Sequence, residues 1–192
     1  SGIVPLVAIG IYALACLVRN GGLADGLRRT GWIAAGGAVP LAGLLAYQAW
    51  AFGHPLYPAQ HWMPHEKHDF ADVGYSGFTW PAADLLAQNL LDPRFGLFPF
   101  GPLLLLAFAA PFLARRRRSF LSGGEIALAF GLFLGLLLFS SANQFGRLQW
   151  NTGVRYLVPT VPLLFLAAAS ALVRVPRQLA AAIGALAIAH AW

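Results

Sequence analysis

Residues 114–119 read Ala-Arg-Arg-Arg-Arg-Ser, four consecutive arginines between two uncharged apolar runs. Residues 97–114 form the run before them, and residues 126–140 form the run after them. A helix needs about 20 apolar residues to cross a hydrocarbon layer about 30 Å thick, and four adjacent charges cannot stay inside that layer. The block therefore predicts a loop between two membrane-spanning helices, on the cytoplasmic side where basic loops accumulate.

The composition agrees with a membrane protein. Hydrophobic residues make up 58% of the 192 residues and charged residues 10%, against about a quarter charged in soluble domains. The net charge of +6 lies at the ends of apolar runs, as topology signals do, which argues against nucleic-acid binding. The single cysteine, Cys16, excludes an internal disulfide. Because the chain starts at Ser1 and its terminal runs are short, we expect residues 1–192 to be a transmembrane piece of a longer protein.

Six apolar runs predict an all-α, polytopic transmembrane bundle of about six spans, at residues 3–18, 32–52, 97–114, 126–140, 156–173 and 179–192. The inner loops of this topology carry nine basic residues: Arg19, Arg28, Arg29, Arg115, Arg116, Arg117, Arg118, Arg174 and Arg177. The outer side carries four: Lys67, Arg94, Arg147 and Arg155. This asymmetry follows the positive-inside rule and predicts a multi-pass protein. Ala127, Gly131 and Gly135 form a small-residue stripe that predicts close helix packing.

Residues 53–96 form the sizeable polar segment, which we expect to be an extracytoplasmic loop. Within it, residues 81–92 predict a short amphipathic helix with polar positions four residues apart. The polar positions are Asp84, Gln88 and Asp92, and the apolar face holds Ala83, Leu86, Ala87, Leu90 and Leu91. This face lies either in the membrane interface or against the bundle.

Residues 61–72 bring together three histidines and three acidic residues. Such a group can bind a divalent metal, but the spacing matches no strong metal signature and Lys67 repels a cation. We therefore predict no cofactor and keep a divalent metal as the alternative. The preferred interpretation is a solvated or substrate-facing polar loop, with His65, His68 and Asp69 as candidate substrate contacts.

Arg155 directly precedes the apolar run at residues 156–173, whose first residue is Tyr156. An arginine at that depth is costly unless it binds an anion or extends to water. Guanidinium groups bind phosphate oxygens through two parallel hydrogen bonds. Two interpretations stay open: a phosphate-binding group, or an interfacial anchor flanked by Trp150 and Tyr156.

Two stretches, RFGLFPFGP at residues 94–102 and GVRYLVP at residues 153–159, carry a family resemblance. With the spans around them, over about residues 40–175, they resemble the C-terminal half of bacterial polytopic glycosyltransferases of the GT-C superfamily. That superfamily includes the relatives of protein O-mannosyltransferase and of lipid A aminoarabinose transferase. The resemblance implies sugar transfer from a polyprenyl-phosphate donor to an acceptor on the outer face of the inner membrane.

The resemblance also implies site residues. Arg155 is the expected partner of the lipid phosphate, with Arg94 and Arg147 as further candidates and Tyr156 beside it. The usual catalytic carboxylate of the family lies in an outer loop upstream of this chain, so no catalytic residue is assigned. The alternatives are a transporter and a non-catalytic membrane scaffold. Transporters place ionisable groups near the middle of the membrane, whereas these runs have almost none there.

Overall fold

The computed structural model describes residues 3–56, 74, 77–116, 119–144 and 155–191. Across these ranges the regular structure is helical, and β-pairing is limited to a single bridge between Phe78 and Asn143. This confirms the predicted all-α class. The chain divides into two compact units, one of residues 9–76 and one of residues 1–8 with 77–192.

Helix α1 (Ile3–Phe52) consists of two helices that meet at Gly22, whose backbone has φ 80° and ψ 171°. A Cβ atom placed on Gly26 would lie 2.7 Å from Cγ2 and 3.2 Å from Cα of Val18. Residues eight apart in a continuous helix are about 12 Å apart, so the chain folds back at Gly22. The two predicted runs are thus separate helices. The expected loop at residues 19–31 is helical except at Gly22, because one glycine with positive φ makes the turn.

The second half of α1 is apolar on all sides and exposed. From residue 31 to residue 50 only Leu45 and Gln48 are even partly buried, and Trp50 is 84% exposed. A helix of this kind needs lipid or another helix around it. By length and composition, α1 is one of two elements among the described residues that are able to cross a membrane, and α5 (Gly123–Ala142) is the other.

The remaining elements belong to the second unit. They are α2 (Ala83–Leu91), α3 (Leu97–Phe100), a 3₁₀ segment (Pro102–Ala109), α4 (Ala110–Arg115), α5, a 3₁₀ turn (Val158–Thr160), α6 (Val161–Leu172) and α7 (Arg177–Ala191). All four apolar runs predicted in this unit therefore contain helices. The shorter apolar helices at Pro102–Arg115, Val158–Leu172 and Arg177–Ala189 are below the length of a full span.

The run predicted at residues 97–114 is divided into three helical pieces instead of one. Gly101 separates α3 from the 3₁₀ segment, in which the Leu104 N–H donates to the Gly101 carbonyl over 2.9 Å. The segment ends where Ala110 N–H donates to Ala107 O, and Pro111 follows. Proline has no N–H to give and its ring clashes with the carbonyl four residues back. Pro102 and Pro111, at the two ends of the segment, thus favour a 3₁₀-helix over an α-helix.

The core lies between the 3₁₀ segment, α5 and α6. Ala107, Ala167 and Ala168 are fully buried, and their small side chains let the 3₁₀ segment pack closely along α6. Leu136 of α5 closes the core from the other side. The small-residue stripe makes one close contact: a Cβ atom on Gly135 would lie 2.9 Å from Cγ1 of Val4, whereas Gly131 has open space around it.

Candidate functional site

Helix α2 confirms the predicted amphipathic helix and packs against α5. Its most buried side chains are Leu85 and Asn89, each 1% exposed, with Leu86 and Leu90 half-buried against the core. Leu86 and Leu90 therefore pack on the bundle, as one of the two predicted alternatives has it. The predicted polar face is exposed at Asp84 and half-buried at Gln88.

The apolar face predicted for α2 was partly wrong. Ala83, Ala87 and Leu91 are exposed, and the buried face is centred on Leu85 and Asn89 instead. The physical reason is that the Asn89 amide finds hydrogen-bond partners inside the bundle. A buried amide with such partners avoids the penalty of an unpaired polar group.

Asn89 is the centre of a buried polar cluster at the C-terminal end of α5. Its Nδ2 donates to Ser140 Oγ over 2.9 Å and lies 3.2 Å from Ser141 Oγ. Ser140 Oγ in turn donates to the Leu137 carbonyl over 3.1 Å. The two serine residues are fully buried. This cluster joins α2 to the last turn of α5 through hydrogen bonds that water does not reach.

The segment 77–82 caps the same end of α5. The Thr79 N–H donates to the Ala142 carbonyl over 2.9 Å, and the Ala82 N–H donates to the Ser141 carbonyl over 3.0 Å. Gln144 donates two hydrogen bonds back to this segment. Its backbone N–H donates to the Gly77 carbonyl over 2.8 Å, and its side-chain Nε2 donates to Thr79 Oγ1 over 3.0 Å. Carbonyls of a last helical turn have no partner inside the helix. The extended segment supplies those partners and is held in place by them.

Aromatic rings connect this end of α5 to Arg155. The ring of Phe78 lies 5.1 Å from that of Phe139, and Phe139 lies 6.4 Å from Tyr156, centroid to centroid. Arg155 Cζ lies 5.2 Å from the centre of the Tyr156 ring. A guanidinium on an aromatic face is held by the ring quadrupole, while its N–H groups point outward in its own plane.

Arg155 is exposed and forms no ion pair with any carboxylate of the described residues. Arg94 differs in this respect. Its Nε lies 3.7 Å from Asp92 Oδ1, and its backbone N–H donates to the same oxygen over 2.8 Å. Asp92 therefore offsets part of the Arg94 charge. Of these two arginines, Arg155 is the better placed to receive an anion.

The other predicted site residues, Arg147, His65, His68 and Asp69, lie outside the described residues. Across the described ranges, no group of three or more His, Cys, Asp or Glu side chains is arranged to hold a metal ion. The structure therefore brings together Arg155 and Tyr156 of the predicted set. It places Arg94 in the turn between α2 and α3.

The polar cluster itself was missed by sequence reasoning. Asn89 stands next to two leucines, and the helical spacing of Asp84 and Gln88 drew attention to a different face. A usable signal was present at Ser140 and Ser141, two adjacent hydroxyl residues at the end of a strongly apolar run. Polar residues inside such a run usually point to a partner within the bundle.

An apolar groove of about 450 Å³ lies between α3 and α7 in the same unit. Its walls are Phe98, Pro99, Pro102, Leu186 and Ala189. Three of these residues belong to the stretch RFGLFPFGP. Leu97 of this stretch and Leu157 of the stretch GVRYLVP are buried in one core cluster, so both stretches are parts of one packed unit.

The chain was compared with protein-family models, with curated protein sequences and with solved structures, and none of the three comparisons found a match.

Proposed function

We propose that this chain is the C-terminal part of an integral-membrane glycosyltransferase. The enzyme moves a sugar from a polyprenyl-phosphate donor to an acceptor on the outer face of a bacterial inner membrane. The observation that supports this most is Arg155. It is exposed, stacked on Tyr156 and without an ion-pair partner among the described residues.

The proposed topology has about six spans. Arg115 is the last residue of α4 and Arg177 the first residue of α7. We place the end of the unit that carries them, with the N-terminus of α5, in the cytoplasm. The opposite end of α5, with the polar cluster and Arg155, then faces outward. Among the described residues of the two span-length elements, charged side chains are confined to residues 19–29 of α1, around the turn at Gly22, and to the first turn of α5.

Arg155 would act on the leaving group. As the glycosidic bond breaks, negative charge grows on the phosphate oxygens of the polyprenyl phosphate. A fixed guanidinium stabilises that charge more in the transition state than in the ground state. Stacking on Tyr156 limits the rotation of Arg155, so less side-chain entropy is lost when the phosphate binds.

The surrounding structure supports the same proposal. Segment 77–82 and the Asn89 cluster fix the end of α5 against which Phe139 and Tyr156 pack. The apolar groove between α3 and α7 has the lining that an isoprenoid chain requires. The carboxylate that deprotonates the acceptor comes from the upstream part of the enzyme, in line with the family resemblance.

A transporter is the rival class. It would place ionisable groups around a substrate site at mid-membrane. Within α5 the one charged residue is Glu125, and it belongs to the cap of the first turn, where the Ser122 N–H donates to its carboxylate over 2.7 Å. The described residues therefore favour chemistry at a membrane surface.

The test is transfer of labelled sugar from a polyprenyl-phosphate donor by the full-length protein in liposomes, expressed per folded molecule. Arg155→Ala should lower the turnover about ten- to a hundredfold, since a hydrogen bond to a charged group contributes about 1.5–3 kcal/mol. Arg155→Lys keeps the charge but not the planar fork, so it should retain part of the activity. Arg177→Ala, at the other end of the unit, is the matched control. Normal turnover of Arg155→Ala would leave Arg155 as an interfacial anchor.

A further inference from the structure

A second apolar groove, of about 510 Å³, opens between α4 and α5 at the end of the unit that carries the arginine block. Its walls are Pro111, Ala114, Arg115, Gly123, Ile126, Ala127 and Phe130. Arg115 is the last residue of α4 and Gly123 the first of α5, so both lie where the groove meets the connecting loop. The groove is thus apolar along its length and cationic at one end.

The charge at this end is not neutralised by the nearest acidic residue. Arg115 is exposed and forms no ion pair with a described carboxylate. Glu125 lies about 160° around α5 from Ala127 at 100° per residue. It is occupied in the helix cap, where the Ser122 N–H donates to its carboxylate and the Glu125 N–H donates to Ser122 Oγ. Arg115 therefore presents its full charge at the mouth of the groove.

The connection that follows the arginine block is anchored. The hydroxyl groups of Ser119 and Ser170 lie 3.1 Å apart, and the Leu121 N–H donates to Ser119 Oγ over 3.0 Å. Ser170 is fully buried in α6. This contact fixes the return of the chain to α5 and so holds the end of the unit at which the groove opens.

We infer that the groove between α4 and α5 binds an anionic phospholipid of the cytoplasmic leaflet. The phosphate of the headgroup would pair with Arg115, and one acyl chain would lie along Ala127 and Phe130. Basic openings between transmembrane helices on the cytoplasmic side are suited to such headgroups, and a guanidinium binds a phosphodiester through two hydrogen bonds. This site is separate from the proposed donor site, since α5 is 20 residues long and therefore about 30 Å from end to end.

The inference depends on the membrane topology proposed above, but not on glycosyl transfer. It is tested by native mass spectrometry of the full-length protein, released from bilayers that contain phosphatidylcholine with phosphatidylglycerol or cardiolipin. We expect the anionic lipids to be retained about tenfold more than phosphatidylcholine. Arg115→Gln should remove most of that preference, whereas Arg177→Gln, an arginine of α7 outside the groove, should keep it.

A second pair of variants tests the apolar part of the site. Ala127→Trp fills the groove and should reduce lipid retention, while Ala181→Trp, on the exposed surface of α7, should not. Equal losses in Arg115→Gln and Arg177→Gln would show a diffuse surface charge and overturn the proposal. Displacement of the lipid by millimolar inorganic phosphate would overturn it too, because it would indicate a site for a free anion. If Ala127→Trp does not fold, the two glutamine variants decide the question.

Discussion

The amide of Asn89 lies 2.9 Å from the hydroxyl of Ser140, and the two residues are 51 positions apart in the chain. This contact holds the short helix α2 to the end of the long apolar helix α5. Both side chains are completely buried. The hydrogen bond thus gives α2 a fixed position on α5 that its half-buried leucines alone would not specify.

Asn89→Ala should lower the free energy of unfolding by about 1–3 kcal/mol, because it removes two hydrogen bonds from a site without water. Thermal unfolding of the purified protein in a mild detergent measures this, with Ala87→Ser, on the exposed face of α2, as the control. In a double-mutant cycle, Asn89→Ala and Ser140→Ala should together destabilise the protein less than the sum of the two. Additive losses would contradict the pairing.

Tyr156→Leu should lower the sugar-transfer turnover about two- to fivefold, since a cation–π contact at an exposed site contributes about 0.5–1 kcal/mol. Tyr156→Phe keeps the ring under Arg155 and should behave like the wild type. Turnover per folded molecule in the liposome assay measures both. An equal loss in Tyr156→Phe and Tyr156→Leu would instead assign the important role to the phenol hydroxyl group, which both variants lack.

The turn at Gly22 gives a distance prediction. In an unbroken helix, labels at positions 11 and 33 would be about 33 Å apart, and the fold-back requires a clearly shorter distance. Pulsed electron paramagnetic resonance on spin-labelled cysteines at these positions, in a Cys16→Ser background, reads it directly. Gly22→Ala should destabilise the protein by about 1–3 kcal/mol, because φ 80° with ψ 171° is a region that only glycine adopts readily. A distance near that of the unbroken helix would contradict the turn.

The membrane topology can be tested with a membrane-impermeant thiol reagent. In intact cells a cysteine at position 67 should react, and one at position 117 should react only after the membrane is opened. We expect this because basic residues are more frequent in the loops assigned to the cytoplasmic side, which include position 117, than on the side of position 67. Reaction at position 117 alone would reverse the topology, and with it the proposed location of Arg155.

Much of the fold could be predicted from the sequence because long apolar runs form helices wherever backbone groups must be paired internally. The helices at Ala83–Leu91 and Gly123–Ala142 correspond closely to the predicted ones. The buried face of α2 could not be predicted, since the partners of Asn89 are two serines 51 and 52 residues away. A loop between the runs at residues 3–18 and 32–52 was predicted, but the single-residue turn at Gly22 between two helices was not. The pair Gly21 and Gly22 indicates a break, but the close approach of Gly26 to Val18 depends on tertiary structure.

In the candidate site too, contacts between sequence neighbours could be predicted and contacts between distant residues could not. Arg155 and its neighbour Tyr156 are adjacent in sequence, so their pairing could be predicted. The route from Tyr156 through Phe139 to Phe78 joins three distant parts of the chain, and periodicity within one helix carries no information about such contacts.

The 3₁₀ segment at Pro102–Ala109 bears on how well this part of the chain matches the thickness of a bilayer. A 3₁₀ helix rises about 2.0 Å per residue and an α-helix about 1.5 Å, so the eight residues of the segment cover about 16 Å instead of about 12 Å. The helical stretch from Leu97 to Arg115 thereby reaches about 4 Å further, about three-quarters of an α-helical turn, without added residues. In the proposed six-span topology, this local winding would reduce the hydrophobic mismatch of the stretch, whereas most membrane helices adjust by tilting.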